Sequence, residues 1–231
     1  MNQIKKHKGV IIAAIIIVCW LSTTLTFFHL TLNWFSPFTY LFFLIQTHLY
    51  TGLFITAHDA MHGVVSANKV VNKTIGRLCA GLFAFNHYDK LLVKHHEHHR
   101  FVATDQDPDY YEGSFWPWYF SFAKQYVTIW QIVLIAITFN ILIQFFPEPN
   151  VLVYWALPSI AATFQLFYFG TYLPHRGEHE VGNVHKSSSQ KRNHLWAFIS
   201  CYFFGYHYEH HAYPYLPWWK LYQAKDSTKQ P

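Results

Sequence analysis

Ten of the 17 histidines in this 231-residue chain recur at helical spacing in four short groups. They are His58 with His62, His95 with His98 and His99, His175 with His179, and His207 with His210 and His211. On a helix, residues three and four apart share one face, with Cβ atoms about 5–6 Å apart. A metal ion needs imidazole nitrogens converging to within about 2 Å of it, and helical spacing supplies that convergence without a special loop. One HxxxH pair arises by chance. HxxHH is rarer, and this chain carries two copies. Ten imidazoles exceed what one ion holds, whereas two ions would share up to five each, so the pattern predicts a dimetal site. His96 falls off the ligand face and reads as a hydrogen-bonding or packing residue. Gly177 weakens a helix between His175 and His179, which leaves that pair a rival role beside the site or on the surface. Asp59, Glu97, Glu178 and Glu209 each adjoin a histidine of the set. They are candidate acceptors for the outer ring nitrogens, a contact that fixes the tautomer; plain solvation is the alternative.

Imidazole suits zinc, copper, iron and nickel, so ligand type alone does not choose the metal. A hydrolytic zinc site keeps three protein ligands and one open position, which fits ten histidines poorly. Iron in an all-nitrogen shell can activate dioxygen, which makes an oxygen-activating site with O2 as cosubstrate one reading, with zinc left open.

The segments that must carry these histidines are short of charge. Only 13% of residues are charged and 52% are hydrophobic, against roughly 25% charged in a typical soluble domain. That excludes a disordered chain and argues against a plain soluble globule. Residues 9–58 hold no Asp, Glu, Lys or Arg, and residues 125–175 hold only Glu148. A spanning helix needs about 20 apolar residues. Each stretch is therefore read as two spans with a turn: 10–30 and 37–57 split at Ser36 and Pro37, and 125–146 and 151–172 split at Pro147 and Pro149. Lys5, Lys6 and Lys8 precede the first, which is read as a retained anchor rather than a cleaved signal. All 17 Lys and Arg lie in 1–8, 69–124 or 176–229. Because cytoplasmic loops keep positive charge, both termini and all four histidine groups are expected on the cytoplasmic side, at the membrane surface. Residues 75–86 and 195–206 are apolar but too short to span, and are read as interfacial. The fold class is thus all-α: one integral-membrane domain over 1–231, with four spans and a cytoplasmic helical cap carrying the dimetal site. The basic residues form no stripe, so nucleic acid is not an expected partner. Cys19, Cys79 and Cys201 are odd in number and far apart, and support neither a disulfide framework nor a cysteine metal site.

An oxygen-activating site at a membrane surface implies an apolar substrate delivered by the lipid. Phe115, Trp116, Trp118, Tyr119 and Phe120, with Trp218 and Trp219, are candidates to line an elongated slot; an interfacial aromatic belt is their alternative. His48 lies within the second span and reads as a packed neutral ring or a channel residue. A metal transporter is the rival from another class, but it would place ligands near the bilayer midplane rather than beyond the span ends.

These residues resemble the membrane fatty-acid desaturase and hydroxylase superfamily and, within it, the bacterial-type β-carotene ketolases. The likeness is carried by His58 to Gly63, by His95 to His99 with Thr104 to Asp109, by Phe169 to Arg176, and by Phe204 to His211 with Pro217 to Trp219. It runs from about residue 50 to 222. The histidine boxes mark the superfamily; Phe169 to Arg176 and Pro217 to Trp219 point to ketolases. The resemblance implies a non-haem di-iron oxygenase that takes β-carotene or a related carotenoid from the bilayer. Reduced ferredoxin or a similar donor would supply electrons. Two hydroxylations at the ring C4 methylene, then loss of water, would give echinenone and canthaxanthin. It also implies that Arg176 and the segment Asp105 to Asp109 organise loops over the site. A carotenoid hydroxylase or a fatty-acyl desaturase on the same scaffold is the nearest rival.

Overall fold

Ser36 and Pro37 open the second apolar run as a helix for simple reasons. The Ser36 hydroxyl accepts the Phe38 N–H, and proline at the first helical position lacks only an N–H that would have no partner there. The computed structural model describes residues 3–227; the side chains of Lys5 and Lys6 lie outside the described residues. Every regular element among them is helical. In chain order they are α1 (Gln3–Phe28), α2 (Pro37–Met61), α3 (Lys69–Leu82), α4 (Tyr88–Phe101), α5 (Phe115–Tyr126), α6 (Ile129–Leu142), α7 (Glu148–His175), α8 (His194–Cys201), α9 (His207–Ala212) and α10 (Leu221–Ser227).

Among the described residues, three helices are long and apolar enough to cross a membrane: His7–Phe28 of α1, α2 and α7. The expected third span, 125–146, is not one straight helix. Thr128 caps α6, its hydroxyl accepting the Gln131 N–H while the Gln131 side chain accepts the Thr128 N–H. That closed cap starts a new helix, and α5 meets α6 at an 83° bend. Alone, the 14 residues of α6 reach about 21 Å, short of a hydrocarbon core of about 30 Å; joined to α5 they make a fourth, broken candidate span.

Helix α2 is central and packs against α1, α3 and α7. Its inner face joins Trp20 of α1, Cys79 and Ala80 of α3, and Ala162 and Leu166 of α7 in the main core. The outer face of α1 presents Ile11, Ile15, Val18, Leu21 and Leu25, a stripe at helical spacing suited to lipid. Several polar groups between the long helices are satisfied internally, as an apolar surround demands. Gln46 bonds Thr23 and Thr24 of α1, and Gln165 bonds Thr51 of α2 and the Ser200 carbonyl. Asn150 donates to the carbonyls of Phe27 and Leu30, fastening the start of α7 to the end of α1.

Helix α7 contains two wide turns, Leu152–Ala156 and Tyr168–Tyr172. In each, the residue before a proline bonds five residues back: Leu157 to Leu152, and Leu173 to Tyr168. Pro158 and Pro174 follow directly. A proline ring clashes with the carbonyl four residues back in a tight α-turn, and the wider turn relieves that clash without breaking the helix. The second turn delivers His175 to the end of α7.

Candidate metal centre

The histidines come from the ends of α2, α4, α7 and α9. His58 and His62 close α2; His95, His98 and His99 sit on α4; His175 ends α7; His207, His210 and His211 occupy α9. The fold sorts them into two adjoining groups. One is His58, His62, His95, His99 and His210; the other is His98, His175, His207 and His211. Within each group the ligand atoms all lie within 4.8 Å of one another. The HxxHH boxes of α4 and α9 divide in opposite senses. His95 and His99 serve the first group and His98 the second, while His207 and His211 serve the second and His210 the first. Positions i and i+4 on an α-helix differ by about 40° around the axis and i+3 falls about 60° to the other side, so one box can feed two neighbouring sites. His179 stands outside both groups, with its Nε2 buried and without a hydrogen-bond partner. His96 is exposed, and His48 packs flat on Tyr202 at 4.2 Å, away from the groups.

The inward atom is Nε2 wherever two rings touch. His62 meets His95 at 2.6 Å, His99 meets His210 at 3.0 Å, and His211 meets both His98 at 3.1 Å and His207 at 3.0 Å. The Nε2 atoms of His58 and His175 are buried without any partner. Burial, and then the charge of neighbouring imidazoles, holds His95, His99, His207, His210 and His211 below the usual histidine range. His62 is pushed down to about 4 by burial and His96. Several Nε2 atoms crowd together with no carboxylate between them, a place where a cation could satisfy many acceptors at once. Imidazole nitrogens with no carboxylate among them fit a pair of transition-metal ions.

Supporting contacts come partly from where the sequence pointed. The Asp59 carboxylate accepts the Trp218 N–H at 3.0 Å and stands 3.7 Å from His58 Nδ1. Glu209 is fully buried, accepting from the Ser189 hydroxyl and facing Lys225 Nζ at 3.2 Å; it anchors α9 rather than a histidine ring. Glu97 and Glu178 are exposed, and among the described residues neither bonds a histidine, because their positions turn them to the outer face. The acid that does orient a ring is Asp107, whose carboxylate accepts from His98 Nδ1 at 2.9 Å. Asp107 also accepts the N–H groups of Ala103 and Asp109, which shapes the loop after α4. Burial alone would lower His98, but Asp109 and Asp107 outweigh it and leave its affinity for a proton raised. The Lys186 carbonyl does for His175 Nδ1, at 2.8 Å, what Asp107 does for His98. Arg176 is exposed and lies over the Tyr172 ring.

Against the histidines lies a cavity of about 340 Å³, reached by His58, His95, His98 and His207. Its wall is mostly apolar, with Phe54, Met61, Phe83, Phe122, Ile132, Ile135, Ile160, Leu166 and Phe204. Along α7 it runs from Thr171 to Ser159, about 18 Å at the helical rise. Of the aromatic residues expected to line a slot, Tyr119 does so; Phe115, Trp116, Trp118, Phe120, Trp218 and Trp219 do not. Phe115 and Trp118 pack instead against Phe167 and Tyr172. The lining comes from α2, α4, α5, α6 and α7 and from the ends of α3 and α9, a set no local motif could announce.

The model of the family described as "Fatty acid desaturase" matches residues 32–131 and 114–230. This chain belongs to the fatty acid desaturase family. Among curated relatives, a β-carotene ketolase of Paracoccus sp. (strain N81106 / MBIC 01143) is 40% identical over 183 residues, covering 78% of this chain and 76% of its own. A β-carotene ketolase of Haematococcus lacustris is 38% identical over 191 residues, covering 78% of this chain and 59% of its own. A zeaxanthin 4-ketolase of Chlamydomonas reinhardtii is 40% identical over 183 residues, covering 75% of this chain and 41% of its own. The chain therefore spans about three-fifths of the Haematococcus protein and less of the Chlamydomonas one. No solved structure matches it.

Proposed function

We propose that this chain is a membrane oxygenase that converts the C4 methylene of the β-ionone rings of a carotenoid, β-carotene foremost, to a ketone. The observation that carries the reading is the contact between an elongated apolar cavity and His58, His95, His98 and His207, in a chain whose relatives are named ketolases. His58, His62, His95, His99 and His210 would hold one iron, and His98, His175, His207 and His211 the other. When bound, the iron pair supplies oxidation of a C–H bond with dioxygen and electrons from a reduced carrier such as ferredoxin. On the substrate, each of two hydroxylations consumes one O2, two electrons and two protons and returns one water; the geminal diol then loses water to give the ketone. The protein's own part is steric and electrostatic. The cavity wall excludes water and presents the ring end to the histidines, and Asp107 and the Lys186 carbonyl hold their rings with Nε2 inward. Residues 1–231 act as one unit. The histidine end and both termini face the cytoplasm, since the turns at 29–36 and 143–147 carry no Lys or Arg.

Expression in β-carotene-producing bacteria, with chromatography of the pigments, tests this. Red-shifted ketocarotenoids are expected. Hydroxylated β-carotene alone would favour a carotenoid hydroxylase, and altered fatty acids with unchanged pigment a desaturase. Metal analysis of the purified protein should return about two irons per chain; zinc in their place would remove the redox chemistry.

A further inference from the structure

Two hydroxyls in the cavity lining, those of Tyr119 and Thr171, have no hydrogen-bond partner among the described residues. Tyr119 stacks on Phe164 at 4.2 Å, far along α7 from the histidines. Thr171 lies one turn before His175, beside Gly170, whose Cα abuts the Phe204 ring. That ring in turn touches His58 at 4.9 Å and His207 at 5.1 Å between centroids.

Among the buried helical threonines of the described residues, Thr171 alone lacks a side-chain hydrogen bond. Helical threonines commonly bond the carbonyl four residues back, and Thr23, Thr24, Thr47, Thr51, Thr56 and Thr163 all do. The Ser159 hydroxyl bonds the Ala156 carbonyl, three residues back. Thr171 sits in the wide turn Tyr168–Tyr172 and makes no such bond. It is only 4% exposed. The residue is enclosed but its hydroxyl is not sealed off: it opens on the cavity beside the histidines, unpaired and free to meet a polar group there.

A hydrocarbon ring needs no polar partner, but its first oxidation product does. An alcohol formed in an apolar cavity carries an unpaired hydroxyl, and that penalty favours its departure. We propose that the Thr171 hydroxyl binds the hydroxyl of this half-oxidised intermediate, an allylic ring alcohol, and holds the same carbon in place for the second oxidation. This rests on the ketolase reading above. In that second step one oxygen atom enters the remaining C4–H bond. One O2, two electrons from the reduced carrier and two protons give the geminal diol and one water, and the diol loses a second water to the ketone.

The test compares wild type with Thr171→Val, which keeps the shape, and Thr171→Ser, which keeps the hydroxyl. In β-carotene-producing bacteria, Thr171→Val should raise the ratio of 4-hydroxy to 4-keto product about five- to tenfold, and Thr171→Ser should bring it back toward wild type. Because released alcohol can rebind and be oxidised, the ratio is read from cultures matched for the amount of folded enzyme. A second measurement needs no turnover. Purified protein, kept under argon without reductant, is offered equal amounts of β-carotene and its 4-hydroxy derivative, and the retained pigments are compared. Wild type should enrich the alcohol, and Thr171→Val should lose that enrichment. An unchanged ratio in either measurement, loss of both products in equal proportion, or failure of serine to restore the ratio would overturn the proposal. If wild type yields no ketone, the ketolase reading fails, and the binding measurement decides for Thr171 separately.

Discussion

In the four-histidine group, His98 gives its outer N–H to Asp107 and His175 gives its own to the Lys186 carbonyl. All four rings are buried. In the five-histidine group the nearest acid, Asp59, stops 3.7 Å from His58, and His62, His95 and His99 are only partly buried. Those rings are held mainly by one another, with His58 and His95 centroids 4.4 Å apart and His62 and His99 4.9 Å apart. The same two helices, α4 and α9, feed both groups, so the difference lies outside the ligands. An outer acceptor fixes tautomer and orientation before any ion arrives, whereas packing alone leaves rings free to reorient. The four-histidine side is therefore the preorganised one and the five-histidine side the more adaptable.

The largest break comes from removing a ligand. His98→Ala and His95→Ala should each abolish ketone formation, and each should lower iron content by about one ion per chain, from opposite groups. Next is Lys225→Met, which leaves Glu209 buried without its cation. Breaking such a pair costs about 3–5 kcal/mol, and because α9 serves both groups, thermal unfolding in detergent should drop and both irons should be lost together. The comparison itself is sharpened by Asp107→Asn against Asp59→Asn. Loss of an orienting acid lowers metal affinity or activity about 10- to 100-fold, and that loss is expected for Asp107 and not for Asp59; equal effects would erase the distinction. Timed removal by a chelator should be biphasic, with the five-histidine ion leaving first.

The smallest effect belongs to Asp89, which ties α4 to α3 through Lys73 and Arg77. These cations hold its carboxyl below the usual range. Its contribution is present above the ordinary carboxylate pKa and is lost as pH falls through the lowered one. Asp89→Asn should shift the melting temperature only slightly at neutral pH, and not at all in high salt.

Legibility in the sequence differed from element to element. The charge-free runs foretold α1, α2 and α7 because apolar length is a local property. The break before α6 was equally local, since Thr128 and Gln131 form a capping-box pair that reads as a helix start; the long apolar run masked it. Asp107 carried no such signal as a ring acceptor. It lies nine residues beyond His98 in an irregular loop, where no periodicity relates one side chain to the other, while the adjacent Glu97 attracted attention and turned out to face away.

What the sequence determined by itself was most of the donor set: nine of the ten histidines at three- and four-residue spacing gather, and His179, beyond Gly177 and the end of α7, does not. Which ring joins which cluster was decided only in three dimensions. Within each HxxHH box the i+3 ring diverges from the i and i+4 rings by about 60° and about 100° around the helix. Whether a given direction meets α2 or α7 depends on how α4 and α9 dock, and that docking is set by packing among residues far apart in the chain.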